Sequence, residues 1–398
     1  MSFEMIENEV VGAIIKVVGV GGAGGNAVNH MVNRNVQGVE FIALNTDVQA
    51  LKNSRATNII QIGAQGLGAG AKPEAGRAAA EAAKDEIRAA LAGANMVFLT
   101  AGMGKGTGTG ASPLVAEIAK ELGILTVGVV TKPFDFEGKR KMEIADTGLE
   151  QLGNHVDSLI VVLNQKLLDM DEDLTEEDAY KMADDVLHNA VSGIAEIINV
   201  PGLVNVDFAD VRTVMSEQGK AMMGIGEAAG LDRARIAAEQ AVASPLLDGV
   251  DLTGARGVIV NITASRSLKL RETQTVVNTI RAFTADDATI IHGTVRNEEM
   301  GDNLRVTVIA TGLGRVVKRP QLVPQPMLKT GTDNAASMSS IFNQAQANAA
   351  GLAAGSSTVN TDIPAIWRNP RAQDQVAALE QSGTDRYDIP AFLRKQAD

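Results

Sequence analysis

The chain contains no cysteine. That removes disulfides, cysteine-ligated zinc, iron–sulfur clusters and thiol nucleophiles together. Aromatic residues make up only 3% of the 398, so any packed core must be aliphatic. Hydrophobic residues at 45% are sufficient for that. Positive charge is in deficit: Lys plus Arg number 36 against 48 Asp plus Glu, a formal charge of −12. A sequence-independent nucleic-acid binder needs a basic face, so this balance argues against one. It leaves open the capture of a small anion by a loop of backbone N–H groups. Only four histidines occur, His30, His155, His188 and His292, and none stands at metal-ligand spacing. No apolar run approaches the ~20 residues of a membrane span. The acidic start, Met-Ser-Phe-Glu-Met-Ile-Glu, lacks the basic segment of a signal peptide. The expectation is a soluble, cytoplasmic chain without direct membrane insertion.

Short apolar runs at 14–20, 39–44, 96–100, 125–130 and 158–163 alternate with helical patterns such as 74–92 and 112–122. The runs are continuous rather than alternating, as in parallel strands buried on both faces. Strand–helix alternation predicts a doubly wound α/β sheet, whose ligands bind at the C-terminal ends of the strands. Three loops fall there: 19–25, Asn45-Thr46-Asp47 and 102–110. A long helix is expected from Thr175 to Asn199, with Thr175 and Asp178 as a capping pair and Pro201-Gly202 as its stop. Residues 207–316 read as a second, smaller α/β unit, with helices at 207–217, 231–243 and 270–283 and strands at 257–264, 289–295 and 304–310. Six of the 11 prolines lie between Pro320 and Pro390, and 334–360 is mostly Ala, Ser, Asn, Gln and Gly. Such a segment cannot offset its chain entropy by burial and is expected to be disordered. The domain reading is therefore 1–174, a connector helix 175–200, a second domain 201–318, a linker 319–384 and a terminal peptide 385–398. In that peptide Ile389, Phe392 and Leu393 fall at i, i+3 and i+4, the pattern of a short helix that docks in a partner's groove.

The loop Gly19-Val20-Gly21-Gly22-Ala23-Gly24 satisfies G-x-G-x-x-G between a strand and a helix, a place where N–H groups cradle phosphate. The loop Gly102-Met103-Gly104-Lys105-Gly106-Thr107-Gly108-Thr109-Gly110 is more telling. Five alternating glycines are costly in chain entropy, so the backbone must approach a ligand closely or adopt positive φ repeatedly. A row of N–H groups and threonine hydroxyls suits a polyphosphate. It is not a P-loop, because Lys105 is followed by Gly106. Asn205, Asp207 and Asp210 follow the long helix. Their spacing fits either first-turn acids favoured by the helix dipole or carboxylates that orient a water. Tyr180, Asp184 and Asp185 can stack on a base and accept guanine N–H groups, or they can form a solvated acidic face.

Gly104–Gly110 resembles the G-G-G-T-G-T-G signature of the tubulin/FtsZ family, the tubulins and their bacterial cell-division homologues. The similarity extends to 19–26, Asn45-Thr46-Asp47, 66–76, 134–139, 205–215, 310–314 and the tail 388–394. The resemblance implies a tubulin-like fold: a doubly wound parallel-sheet GTPase domain, a long connector helix, a second smaller α/β domain and a disordered C-terminal tail. It implies an assembly-dependent GTPase that polymerises head to tail into the filaments of the division ring at mid-cell, with GTP/GDP and Mg2+ as cofactors. Matched position by position, Gly21, Gly22, Gly104, Gly106, Thr107 and Gly108 hold the phosphates. Asn26, Tyr180 and Asp185 bind guanine and Glu137 the ribose. Asp207 and Asp210, with Asn205 beside them, position the attacking water in the next subunit's cleft. Asp388–Arg394 then binds membrane-tethering adaptors such as FtsA or ZipA.

The departures from the family pattern lie around the nucleotide. Lys105 stands at the signature's second glycine, where positive φ would strain it but where its ammonium can reach a phosphate. Lys72 stands in place of an expected Asn, and Lys141 in place of an Arg. Asp184 replaces an Asn. These motivate an alternative, a GTP-binding structural filament protein with weak or no hydrolysis. A dinucleotide oxidoreductase, motivated by 19–24 alone, is the third reading.

Overall fold

Continuous apolar runs dictate the centre of the molecule. The computed structural model describes residues 12–168, 175–199, 206–217, 219–247, 252–285 and 287–313. In the first half the elements run β1 (Ile15–Val20), α1 (Gly21–Asn33), β2 (Val39–Asn45), α2 (Val48–Lys52), β3 (Asn58–Gln61), α3 (Pro73–Ala82), α4 (Lys84–Leu91), β4 (Met96–Gly102), α5 (Thr107–Glu121), β5 (Leu125–Lys132), α6 (Lys139–Gly153), β6 (Ser158–Leu163) and α7 (Asn164–Leu167). Then come α8 (Glu176–Asn199), α9 (Phe208–Met215), β7 (Lys220–Ala229), α10 (Arg233–Val242), β8 (Gly257–Ala264), α11 (Leu270–Arg281), β9 (Thr289–Arg296) and β10 (Asn303–Leu313). All but one residue of each of β1, β4 and β5 is buried. Strands so apolar belong at the middle of a parallel sheet covered on both faces.

The sheet is a single one of ten strands, in the order β3-β2-β1-β4-β5-β6-β7-β10-β8-β9. From β3 to β6 every pairing is parallel, with Val17 opposite both Phe41 and Phe98. The order turns outward on both sides of the β1–β4 pair, which places a topological switch point between them. Period-2 alternation then sorts the core. Val17, Phe98 and Val127 pack under α1 and α8, while Val18, Leu99 and Val130 pack under α3 to α6. The second half is antiparallel along β7-β10-β8, and β9 pairs parallel with β8.

Helix α8 begins where the sequence predicts. The Thr175 hydroxyl accepts from the Asp178 N–H at 3.2 Å and donates to its carboxylate at 2.6 Å. The helix runs about 36 Å at 1.5 Å per residue. Its Leu187, Val191 and Ile194 belong to one cluster with Phe98 of β4, Met223 of β7 and Ile309 of β10, so both halves share its apolar face. The Pro201-Gly202 stop, residues 1–11 and the linker and tail from 319 lie outside the described residues.

Sequence patterning missed β3, α6 and β7, and of these β7 joins the halves. It pairs with β6 through Leu159–Lys220 and Ile160–Ala221 and with β10 along its whole length. Gly224 and Gly226 weaken its strand signal. Both are required by the close approach of α10: a methyl on Gly224 would overlap the carbonyl oxygen of Ala241, and one on Gly226 that of Ala237. Gly224→Ala is accordingly expected to destabilise the fold by about 1–3 kcal/mol through overpacking, measured as the change in urea midpoint at constant m-value.

Candidate nucleotide site

Four strand ends define a cleft of about 560 Å³, lined by Val20 at the end of β1, Asn45 at the end of β2, Gly102 at the end of β4 and Thr131 of β5. The three loops expected to meet there do meet. Helices α1 and α5 both start at the cleft. They approach so closely that a methyl on Gly21 (φ +75°) would lie 2.9 Å from the Gly108 amide nitrogen. Two helix N-termini thus aim partial positive charge and N–H groups into one space, an arrangement suited to phosphate.

The glycine loop departs from its sequence reading. Only Gly104 adopts positive φ in it, +102°, and its N–H is donated to the Thr109 hydroxyl at 2.9 Å. Gly106 and Gly110 are small because the segment 66–76 packs on them. A methyl on Gly106 would lie 3.0 Å from the Lys72 nitrogen, and one on Gly110 would overlap the carbonyl of Pro73. The repeat therefore serves packing as much as ligand approach. Helix α5 begins at Thr107, inside the loop, rather than at Ser112. The hydroxyls of Thr107 and Thr46 bond at 2.6 Å and tie the loop to the end of β2. Lys105 is not among the residues of positive φ, so the strain expected for it does not arise. The strained non-glycine of this end is Ala71 (φ +57°).

Gly22, Asn26, Lys105, Gly106, Thr107, Gly108, Glu137, Lys141 and Tyr180 all line the cleft. Glu137 accepts from Lys141 Nζ at 2.9 Å and from the Phe134 N–H at 3.1 Å. The Tyr180 ring meets Phe134 edge-on at 5.5 Å. Burial first, and then the charge of Glu137, raise the Tyr180 phenol above its ordinary value. Two further polar lining residues, Asn164 and Asp184, stand outside the position-by-position assignment and bear on the α8 side of the cleft. Asn164, which opens α7, is 4% exposed, and its Oδ1 has no hydrogen-bond partner among the described residues. A buried acceptor left unmade is costly, so Asn164 is poised for a ligand donor.

Asp185, the expected guanine ligand, is not on the cleft wall. Its Oδ1 accepts from Nε2 of His30 in α1 at 2.8 Å and from Nη2 of Arg34, the C-cap of that helix, at 2.6 Å. Asp184 lines the cleft with Tyr180, Ala183 and Leu187, the i, i+3, i+4, i+7 face of α8. Burial, reinforced by Asp185 and opposed by His30, pushes the Asp184 carboxyl up to about 6. Burial lowers His188, beside His30, to about 4, so it is neutral at pH 7. Helical periodicity around Tyr180 was the signal that separates 184 from 185.

Asp207 and Asp210 are exposed and line no part of this cleft. Asp207 is the N-cap of α9 but forms no side-chain cap bond, and Asp210 lies in the first turn. Neither carboxylate is used to close the helix. Arg212 of the same helix reaches the carbonyl of Gly123 at 3.5 Å. Gly123 lies just beyond the C-terminal end of α5, whereas the cleft lies at its N-terminal end. Fifteen helical residues span about 22 Å, so the acids and the cleft stand at opposite ends of α5. Asn205 lies outside the described residues. For magnesium, the cleft offers the Asp47 carboxylate and the Thr46 and Thr107 hydroxyls. Among the described residues no group of three or more His, Cys, Asp or Glu could hold a metal by itself. Oxygen donors with one carboxylate fit a Mg2+ held mainly by phosphate and water.

Two helix N-termini meeting at the switch point of a doubly wound sheet point to a class of nucleotide-binding protein, which the family comparisons define. Residues 14–172 match the family model described as Tubulin/FtsZ family, GTPase domain, and residues 219–314 match FtsZ family, C-terminal domain. The chain is 50% identical to the cell division protein FtsZ of Coxiella burnetii over 99% of each chain, and 51% identical to that of Pseudomonas aeruginosa over the whole of each. It superposes on the empty FtsZ dimer structure from M. jannaschii with TM-score 0.74 and 44% identity, covering 77% of this chain and 89% of that one. CetZ2 from Haloferax volcanii shares the fold, with TM-score 0.65 at 20% identity over 76% and 94% of the two chains. The chain belongs to the FtsZ family of cell-division GTPases. No helix among the described residues is long and apolar enough to cross a membrane.

Proposed function

We propose that the chain binds GTP in the cleft, stacks head to tail, and hydrolyses the nucleotide with Asp207 and Asp210 of the adjacent subunit. The observation that carries this is the separation of the two acids from the cleft along α5. A heterologous contact that places one end of a subunit on the other end of the next does not close, and it generates a filament. Each such contact brings a cleft and a pair of unpaired acids together. The monomer lacks that pairing, so hydrolysis requires assembly.

Within the cleft, Asp184 accepts from guanine N1–H and N2–H2, Tyr180 stacks on the base, and Asn26 and Asn164 complete the base end. Glu137, steadied by Lys141, holds the ribose. Gly21, Gly22, Gly106, Thr107 and Gly108 present N–H groups to the phosphates, and Gly104 sets the turn that allows it. Asp47, with Thr46 and Thr107, would hold Mg2+, which would neutralise phosphate charge there. Phosphoryl transfer needs positioning and charge stabilisation above all. Asp207 and Asp210 supply the positioning of the attacking water and accept its proton. Lys105 does not adopt positive φ, so backbone strain there does not favour the weak-hydrolysis alternative, which phosphate release tests; the dinucleotide reading gives way to family membership.

In the cell these filaments would form the division ring at mid-cell, tethered by adaptors such as FtsA or ZipA through Asp388–Arg394. Sedimentation tests the assembly directly. The full chain should pellet with GTP and stay in solution with GDP. A chain lacking 385–398 should pellet equally and lose adaptor binding. Absence of any GTP-dependent pellet would refute the filament reading.

A further inference from the structure

Two lysines stand at the phosphate end of the cleft without partners among the described residues. Lys105 lines it, between Gly104 and the start of α5. Lys72 follows Ala71, the last lining residue of the facing loop, and caps α3 without a side-chain bond. The two loops touch: a methyl on Gly106, next to Lys105, would lie 3.0 Å from the Lys72 nitrogen and 2.8 Å from Ala69 Cβ. Both lysines are exposed, and neither forms an ion pair or side-chain hydrogen bond with any described residue. The third cation of the cleft, Lys141, is already engaged by Glu137. The Asp47 carboxylate accepts from the Gln49 N–H, and Asp184 lies at the other end on α8. Ala71 is held at φ +57° immediately before Lys72, a conformation that alanine adopts only under constraint.

We infer that Lys72 and Lys105 form a two-cation clamp on the terminal phosphate, and that this clamp lets the chain prefer a triphosphate over a diphosphate without divalent metal. The inference rests on the proposed binding of GTP in this cleft. The base end is fixed by Tyr180 and Asp184, so a nucleotide lying along the cleft carries its last phosphate toward the two facing loops. Ammonium groups there form charge-assisted bonds to phosphate oxygens and supply the neutralisation that a metal otherwise provides. A diphosphate ends short of them.

The test is equilibrium binding of GTP and GDP to the full chain in EDTA and again in Mg2+, for wild type, K105G, K72N and the double variant. In EDTA the wild type should bind GTP about ten-fold or more tighter than GDP. The double variant should lose that preference while keeping its GDP affinity. Added Mg2+ should restore most of the preference to the variant. If both nucleotides weaken together, or the wild type has no preference in EDTA, the clamp does not exist. If binding is unchanged but the salt dependence of sedimentation shifts, the lysines meet the neighbouring subunit's acids instead, which overturns the clamp equally. Failure of the wild type to bind GDP at all would instead overturn the GTP-binding reading itself.

Discussion

Replacing Asp210 by alanine is expected to leave GTP binding intact and to slow phosphate release by about 10²–10⁴-fold, the usual worth of a positioned acid–base group. Its carboxylate is exposed, lies in the first turn of α9 and is not used in capping. The change therefore costs little stability, and folding does not confound the result. Binding should survive because Asp210 contributes nothing to the wall of its own subunit's cleft. Filaments should still form with GTP and should persist longer, since the step that converts their nucleotide is impaired. A variant that releases phosphate at the wild-type rate would remove Asp210 from the reaction. A variant that fails to bind GTP would place the acids in the wrong subunit.

The second large effect belongs to Asp184. Asp184→Asn exchanges a carboxylate that accepts two N–H groups for an amide that repels one of them. Hydrogen bonds to a charged group are worth about 1.5–3 kcal/mol each, so GTP affinity should fall by about 10²-fold. Xanthosine triphosphate, which carries an acceptor where guanine carries N2–H2, should bind the variant better than the wild type. Asp185→Asn should leave the ratio of the two nucleotides unchanged, because Asp185 is held by His30 and Arg34. A reversed outcome, with Asp185 setting the ratio, would return the base to that residue. The pH dependence follows from the same burial. The folded protein holds the Asp184 carboxyl at about 6 against an ordinary 3.8. Folded protein thus binds the extra proton between those values, and stability falls as pH rises through that window. Guanine favours the charged carboxylate, so the ratio of wild-type to Asp184→Asn affinity should collapse as pH drops below about 6.

Much of this site was legible because its chemistry uses residue types that stand out. Glycines at alternate positions, threonines among them and a strand before them mark a phosphate loop in any sequence, and all three strand-end loops do reach the cleft. The purpose of the individual glycines was not legible. Whether a glycine faces a ligand or a neighbouring backbone depends on what packs on it, and for Gly106 and Gly110 that is a segment some 35 residues earlier. Strand β7 was hidden for the same reason, its two glycines being answers to α10. Helix α6 was passed over because only Ala145, Gly148 and Leu152 of its fifteen residues are buried. A face that narrow gives weak periodicity. Asp184 and Asp185 differ by about 100° of helix rotation, and it is Asp184 that shares the cleft-lining face with Tyr180, Ala183 and Leu187. The separation of the acids from the cleft is a property of the folded chain alone, since α5 sets it.

Phosphate release from GTP with Mg2+, measured per subunit as a function of protein concentration, tests the shared site most directly. Expected is a rate near zero at low concentration that rises steeply past a threshold and then holds constant, with the threshold coinciding with the appearance of sedimentable filaments. A constant rate per subunit down to concentrations where no filament forms would show that one subunit carries a complete site, and would contradict catalysis by Asp207 and Asp210 of a neighbour.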